Sequence, residues 1–254
     1  MTTPMLAEFA LRLAGGMAGG LLLTSSRIVP PAFFRTHCQL ILALLVLAAL
    51  DLGYASPYPV GLALTISSAI LAYITSIAWG LGLPRLAIPM TSTLLAAVGA
   101  ALIGGSHNHA WPLSALNASS RLASAALLGS TLTAMLMGHY YLTAPALTID
   151  PLRRLVRATA WSLGIRIALG ALGFWFWMSG RVPSSSGVAV SSLFLATRWL
   201  VGLAGPAVAT CLIWKTVQIR STQSATGILY IMMTLVLFGE LTALIISRPA
   251  GVTF

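Results

Sequence analysis

Eight apolar segments, each long enough to cross a bilayer, follow one another along the chain. A membrane-spanning helix needs about 20 mostly apolar residues. The segments that meet this length are 5–25, 36–55, 59–83, 86–105, 122–146, 157–178, 187–214 and 226–246. Short stretches rich in proline, glycine, serine or charge separate most of them, and these residue types end or loosen helices. The pattern therefore predicts eight helices, with the least marked boundary at 83–86.

Composition indicates that these helices lie in lipid. Of the 254 residues, 58% are hydrophobic and 7% are charged, against about 25% charged residues in an average soluble domain. A water-soluble globule of this size must cover itself with polar groups. The predicted fold class is therefore all-α, a polytopic integral membrane protein in contact with the lipid bilayer. No basic stretch precedes the first apolar segment, which contains Glu8 and Arg12, so we expect a retained helix there and not a cleaved signal peptide.

The net charge of +10 comes almost entirely from arginine, and most arginines lie at the ends of the apolar segments. That placement is typical of headgroup contact and of orientation in the membrane. Nucleic acid is excluded as a partner, because no soluble basic stretch is present to bind it. One predicted face carries eight basic residues and the other carries four. The eight are Arg27, Arg35, Arg85, Arg153, Arg154, Arg157, Lys215 and Arg220. The positive-inside rule makes that face cytoplasmic, so both termini are expected to be periplasmic in a bacterial inner membrane.

Two faint internal similarities suggest a duplicated architecture. The letters RLAGG at 12–16 and RLASA at 121–125 open the first and fifth predicted helices. The letters GLALTISS at 61–68 and GVAVSS at 187–192 relate the third to the seventh. These matches are compatible with two four-helix halves in parallel orientation, although apolar sequences also match by chance.

A histidine and two tyrosines near the end of the fifth predicted helix form the first candidate site. Counting 1.5 Å per residue places His139 about 7 Å, and Arg166 of the sixth helix about 3 Å, to the cytoplasmic side of the middle. Tyr140 and Tyr141 follow His139 directly. The four side chains are expected to meet, and their donors suit the two carbonyl oxygens of a quinone. The alternative is a polar contact between helices that only fixes packing.

Two further sets of charges fall within predicted helices. Arg198 and Glu240 lie on the seventh and eighth helices at similar depth, so an intramembrane ion pair is expected. A proton-conducting role for the glutamate is the alternative. Glu8 and Arg12 are four residues apart on one helix face, and Asp51 is expected near the same surface.

A polar stretch between the last two helices is a candidate docking or anion site. The sequence IRSTQSATGILY occupies 219–230 and lies on the predicted cytoplasmic face, as Arg153 and Arg154 do. Its polar residues at the start of a helix are Ser221, Thr222, Gln223 and Ser224. Such a helix start suits an anionic group or a partner subunit, whereas a simple cap and turn is the alternative.

Metal and haem chemistry receive little support from the sequence. His107 and His109 have no acid or cysteine near them that would complete a metal site. Haem is disfavoured for this chain alone, because the estimated depths of His37 and His139 differ by about 10 Å or more. Cys38 and Cys211 are far apart and are expected to be buried small hydrophobes. No catalytic motif is present, so the chain is not expected to be an enzyme on its own.

The function expected from these features is that of a membrane subunit in a larger respiratory or electron-transfer complex. Every loop is short, so any soluble catalytic module must come from another chain. The predicted shape is similar to that of the membrane anchors of bacterial DMSO and polysulfide reductases, although no motif supports membership of that family. The chain would anchor partner subunits and contribute a quinone site. The alternatives are a small-solute or proton transporter gated by Arg198 and Glu240, a purely structural subunit, and a lipid-modifying membrane enzyme.

Overall fold

Helices make up all the regular structure that the computed structural model describes, over residues 4–55, 59–104, 113–144, 147–180 and 191–254. The helices are α1 (Met5–Leu23), α2 (Pro31–Ala55), α3 (Pro59–Gly80), α4 (Pro84–Gly104), α5 (Leu113–Thr143), α6 (Asp150–Met178), α7 (Ser192–Ala196), a π-helical segment (Thr197–Ala204), α8 (Gly205–Gln218) and α9 (Thr222–Ala250). With α7, the π segment and α8 taken as one span, eight helical spans in the described residues are long and apolar enough to cross a membrane. The predicted all-α, multi-pass fold class is confirmed.

Several helices begin at a proline. Pro31, Pro59 and Pro84 are the first residues of α2, α3 and α4, and Pro151 is the second residue of α6. Proline fits there because the first-turn N–H groups of a helix have no intrahelical partner to lose. The chain therefore needs few residues between antiparallel helices, and this allows a bundle with short connections.

The starts of α5 and α6 differ most from those that hydropathy predicts. α5 begins at Leu113 and not at 122, and α6 begins at Asp150 and not at 157. The added part of α5 is polar, yet its Asn117 and Ser120 are buried. Polar side chains that find partners inside the bundle do not need to leave the helix, so a hydropathy window ends it too soon.

The helices form two rings of four. In the first ring, α1 contacts α2 and α4, and α3 contacts α2 and α4. In the second ring, α5 contacts α6 and α9, and α8 contacts α6 and α9. The main junction between the rings is the contact of α1 with α5. The two rings thus repeat one connectivity and meet through their first helices.

α1 and α5 pack closely against each other, and their contact joins equivalent positions of the similar segments RLAGG and RLASA. A Cβ atom on Gly16 would overlap the backbone oxygen of Ala125, and one on Gly129 would overlap the backbone of Gly16. Gly16 and Ala125 occupy the same position in RLAGG and RLASA, so the two similar segments pack against each other side by side. The second similarity, at 61–68 and 187–192, lies partly outside the described residues.

The π segment precedes Pro206, which lies near the start of α8. Proline lacks the N–H that would bond four residues back, and its ring crowds that carbonyl, so the helix widens in the preceding turn. The wider turn contains Arg198 and lies against α9, where Gly202 and Gly239 approach each other backbone to backbone.

The two ends of the bundle differ. One end of the bundle, which we call the arginine-rich end, contains the connections 24–30, 81–83, 147–149 and 219–221. At the other end, which we call the terminal end, α1 begins and α9 ends.

Apolar side chains such as Leu50, Ile70 and Trp161 are exposed along the outside, as expected for lipid contact. Cys38 is buried, but the prediction for Cys211 was wrong, because it lies exposed on the outer face of α8.

Candidate functional site

A fully buried carboxylate, that of Glu240, lies at the centre of an ionic cluster inside the second ring. Its Oε1 accepts hydrogen bonds from Arg166 Nε and Arg198 Nη1, each at 3.0 Å. Arg166 also donates from Nη1 to Ser120 Oγ at 2.9 Å. Three helical spans, α6, α9 and the one with the π segment, are therefore held together by one carboxylate.

Ser124 connects this cluster to the first ring. Its hydroxyl donates to Glu240 Oε2 at 2.5 Å and accepts from Arg12 Nη1 at 3.0 Å. Arg12 in turn donates from Nη2 to Glu8 Oε1 at 2.5 Å. The hydrogen bonds thus run without a break from α9 through α5 to α1.

Glu8 is the second acid of the cluster. Arg121 Nε lies 3.4 Å from its Oε1, and Arg248 Nη2 lies 3.8 Å from its Oε2. Arg12 and Arg121, which open the two similar segments, therefore share one carboxylate. The ionic core is defined as Glu8, Arg12, Ser120, Ser124, Arg121, Arg166, Arg198, Glu240 and Arg248.

The ionic core holds more positive than negative charge, with five arginines against two glutamates. Arg198 is 0% exposed, and its Nε and Nη2 have no hydrogen-bond partner among the described residues. Removing an arginine or a glutamate from such a cluster strands a charge, so the cluster resists change even where it adds little stability over an apolar core. Its geometry is that of a structural lock between helices.

Asp51 lies near Glu8 and Arg12, as its position at the end of α2 predicts. It does not join Glu8 and Arg12 but accepts a hydrogen bond from the backbone nitrogen of Ala7 at 2.8 Å. Ala7 lies in the first turn of α1, where N–H groups lack intrahelical acceptors. The carboxylate from the end of α2 therefore caps α1.

A second polar site lies near the arginine-rich end, in a pocket of about 260 Å³ between α2 and α5. We call it the histidine pocket. Its lining is Ala32, Phe33, Thr36, His37, Leu136, His139, Tyr140 and Thr143. The ring of Phe33 lies 3.9 Å from that of His37 and 5.7 Å from that of Tyr140, centroid to centroid. The two polar rings are thus held on one aromatic wall.

The protonation of His37 follows from its contacts. Its Nδ1 lies 2.7 Å from the backbone oxygen of Phe33, which can only accept, so Nδ1 is the donor. In the neutral ring Nε2 is then an acceptor. Nε2 is buried and has no partner among the described residues. Among the described residues, the protein therefore satisfies one of the two ring nitrogens of His37 and not the other.

The structure does not bring together the four residues of the predicted quinone cluster. Arg166 is bonded to Glu240 in the ionic core, and the Tyr141 hydroxyl donates to the backbone oxygen of Thr148 at 2.5 Å. His139 and Tyr140 remain together, and Tyr230 Oη lies 3.4 Å from His139 Nδ1. The grouping was wrong because α5 and α6 begin early, which moves the middle of each helix and so the depth of every side chain.

The same shift changes the argument about haem. Because α5 spans Leu113–Thr143, His139 lies about 16 Å from its middle and not 7 Å. His37 and His139 line one pocket. The predicted depth difference between them, which disfavoured a ligand shared by both, is therefore wrong. At about 260 Å³ the pocket is smaller than the roughly 300–1,000 Å³ of pockets that enclose whole drug-sized ligands. A single ring fits within this volume.

The predicted docking residues separate into two groups. Arg153 and Arg154 line a cavity with residues of α8, and Ser221, Thr222, Gln223 and Ser224 are not part of its lining. Ser221 precedes α9 but makes no side-chain capping hydrogen bond. The turn before α9 is formed by Arg220 instead, whose φ of 56° is left-handed. His107 and His109 lie outside the described residues, within which no group of three or more His, Cys, Asp or Glu could hold a metal ion.

Comparison with known protein families, with characterised proteins and with solved structures finds no match to this chain. The sites must therefore be judged on their chemistry. In the ionic core the protein itself supplies most of the hydrogen-bond partners, whereas in the histidine pocket a buried nitrogen has none within the part of the chain that the structure describes.

Proposed function

We propose that the chain is the membrane subunit of an electron-transfer complex and that the histidine pocket binds the ring of a quinone or quinol. The observation that carries this proposal is a pocket of one-ring size that His37, His139 and Tyr140 line together, in which His37 keeps a buried nitrogen with no partner among the described residues. A quinol ring carries two hydroxyl groups, and its oxidised form carries two carbonyl oxygens. Both forms need hydrogen-bond partners when they leave water.

The pocket offers a partner for each end of such a ring. In the proposed complex a small rotation of the His37 ring exposes Nε2, which accepts from one quinol hydroxyl and takes its proton when the quinol is oxidised. The imidazole of His139 takes the second proton, so that each of the two protons released has an acceptor. The Tyr140 hydroxyl and the ring of His139 serve the other oxygen. Exposed apolar side chains of α2 beside the pocket, Leu40 among them, would contact an isoprenoid tail.

Membership of a larger complex follows from what a quinone site needs. Oxidising a quinol releases two electrons, and they require an acceptor that the described residues do not supply. Partner subunits would provide it, and the exposed arginine-rich end, next to the pocket, is the place where we expect them to dock. This placement keeps the electron path short.

Binding of a short-tailed quinol to the full chain in lipid nanodiscs tests the proposal. His37→Phe keeps the ring and its packing on Phe33 but removes the acceptor nitrogen, so affinity should fall about 3- to 10-fold, the value of one neutral hydrogen bond. Tyr140→Phe removes one hydroxyl from a half-buried residue and should weaken binding within the same range. Isothermal titration calorimetry measures both.

The control is Tyr141→Phe, at the residue next to Tyr140. It removes a hydroxyl that is already bonded to the backbone oxygen of Thr148. It should leave quinol affinity unchanged. Equal affinity in the wild type and in both His37→Phe and Tyr140→Phe would rule out a quinone ring in this pocket. A Soret absorbance band in the purified protein would instead point to haem as the ligand of the two histidines.

A further inference from the structure

A cavity of about 410 Å³ opens at the arginine-rich end between the first turns of α6 and the last turns of α8. We call it the arginine pocket. Arg153, Arg154 and Arg157 of α6 line one side, and Trp214 and Gln218 of α8 line the other. It shares no residue with the histidine pocket or the ionic core.

Most of the positive charges in this pocket have no negatively charged partner among the described residues. Its one acid, Asp150, has an oxygen 3.9 Å from Arg153 Nη1, and their side chains are 60% and 37% exposed. An exposed pair at that distance contributes little. Arg154 and Arg157 form no ion pair with any described residue, so the pocket keeps an excess of two positive charges.

Three guanidinium groups on adjoining turns of one helix suit a phosphate. The planar, forked guanidinium donates two parallel hydrogen bonds to phosphate oxygens. Basic pockets between membrane helices at a bilayer surface are typical sites for acidic lipid headgroups. Trp214 adds an amphipathic ring of the kind that lies at the boundary of headgroups and acyl chains.

The surface that leads to the pocket indicates where the phosphate comes from. One turn beyond Arg157, the side chain of Trp161 is 75% exposed, and Ile165 is exposed one turn further. On α8, Val208 and Cys211 lie exposed at three-residue spacing before Trp214. An apolar track thus runs along both helices up to the charged pocket. A lipid needs such a track, whereas a free phosphate ion does not.

We propose that the arginine pocket binds the phosphate of an anionic phospholipid, whose acyl chains lie along the exposed faces of α6 and α8. The inference is independent of the quinone proposal, because the two pockets lie on different helices. An acidic peptide of a partner subunit is the competing occupant, and it would not use the apolar track.

Native mass spectrometry of the detergent-solubilised full chain tests this. Phosphatidylglycerol should bind in preference to phosphatidylcholine, which has the same tails and no net charge. The triple variant Arg153→Gln, Arg154→Gln, Arg157→Gln should lose at least about tenfold in phosphatidylglycerol affinity, since each guanidinium contributes charge-assisted hydrogen bonds. Inorganic phosphate added in excess should not displace the lipid.

The matched control removes the same charge from the same end of the other ring, with Arg27→Gln, Arg35→Gln and Arg85→Gln. All three are exposed, and none lines the arginine pocket. Phosphatidylglycerol affinity should stay within twofold of the wild type. Equal binding of the two lipids, an equal loss in the control triple, or displacement by inorganic phosphate would each overturn the proposal. Circular dichroism confirms that both triples are folded.

Discussion

The carboxylate of Glu240 in the ionic core and the imidazole of His37 in the histidine pocket differ in how completely the protein satisfies their polar atoms. In the core, the Glu240 carboxylate accepts hydrogen bonds from two arginines and a serine. In the pocket, His37 uses one nitrogen on its own backbone and leaves the other without a partner among the described residues. Both sites lie on helices long enough to span a membrane.

This difference separates structure from function. A buried polar group without a partner costs free energy, so each one needs an explanation, whether structural or functional. The bonded carboxylate holds α6, α9 and the π segment together, whereas we propose that a ligand satisfies the unpartnered nitrogen of His37. Changes in the core should therefore alter stability first, and changes in the pocket should alter binding first.

Replacing the central carboxylate is the strongest test of the core. Glu240→Gln leaves Arg166 and Arg198 buried without their anion, and loss of one partner from a buried ion pair costs about 3–5 kcal/mol. We expect a sharp fall in the unfolding midpoint in detergent, measured by circular dichroism.

Asp150→Asn is the control for that change, because it removes one negative charge from an exposed position. It should alter stability by less than about 0.5 kcal/mol. If Glu240→Gln were as stable as Asp150→Asn, the ionic core would not be the lock between the helices.

The sequence predicts most of the fold, because long apolar segments indicate helices in contact with lipid. The helix boundaries were predicted wrongly where polar residues are part of a helix. Asn117, Ser120 and Arg121 predicted a loop before α5, but all three lie in α5. Asn117 and Ser120 are buried and Arg121 is partly buried, and Ser120 and Arg121 contact other members of the ionic core. A hydropathy pattern ends a predicted helix at polar residues, whether or not a neighbouring helix supplies their hydrogen-bond partners.

The close contact between the two rings gives the second prediction. A methyl group on Gly16 would overlap the backbone of Ala125, which cannot swing aside as a side chain can, so Gly16→Ala must separate α1 from α5. Overpacking of this kind costs about 1–3 kcal/mol, and it also strains the hydrogen bond between Arg12 and Ser124 nearby. Unfolding in detergent, followed by circular dichroism, measures the cost.

Gly164→Ala is the matched control in α6, where a Cβ atom meets nothing within 4 Å. Glycine weakens a helix by roughly 0.5–1 kcal/mol relative to alanine, so this change should be neutral or stabilising. Equal behaviour of the two variants would mean that the rings do not meet as closely as the backbone contact indicates.

The candidate sites were less predictable than the fold. Arg198 and Glu240 were expected to pair because their helices are consecutive, and they lie 3.0 Å apart. Arg166 reaches the same carboxylate from a helix that is not consecutive with α9, and no spacing in the sequence reports such a contact. The predicted depth difference between His37 and His139 was wrong, because the depth of His139 depends on where α5 begins.

The smallest predicted effect distinguishes a structural hydroxyl from a ligand-binding one. Tyr141→Phe removes the hydrogen bond to the backbone oxygen of Thr148, so the connection from α5 to α6 should lose about 0.5–1.5 kcal/mol. Hydrogen exchange at the amides of 147–149 should accelerate, while quinol affinity stays at the wild-type value. If affinity fell as in His37→Phe, the Tyr141 hydroxyl would serve the pocket as well, and the separation between bonded and ligand-binding groups would fail at the residue next to Tyr140.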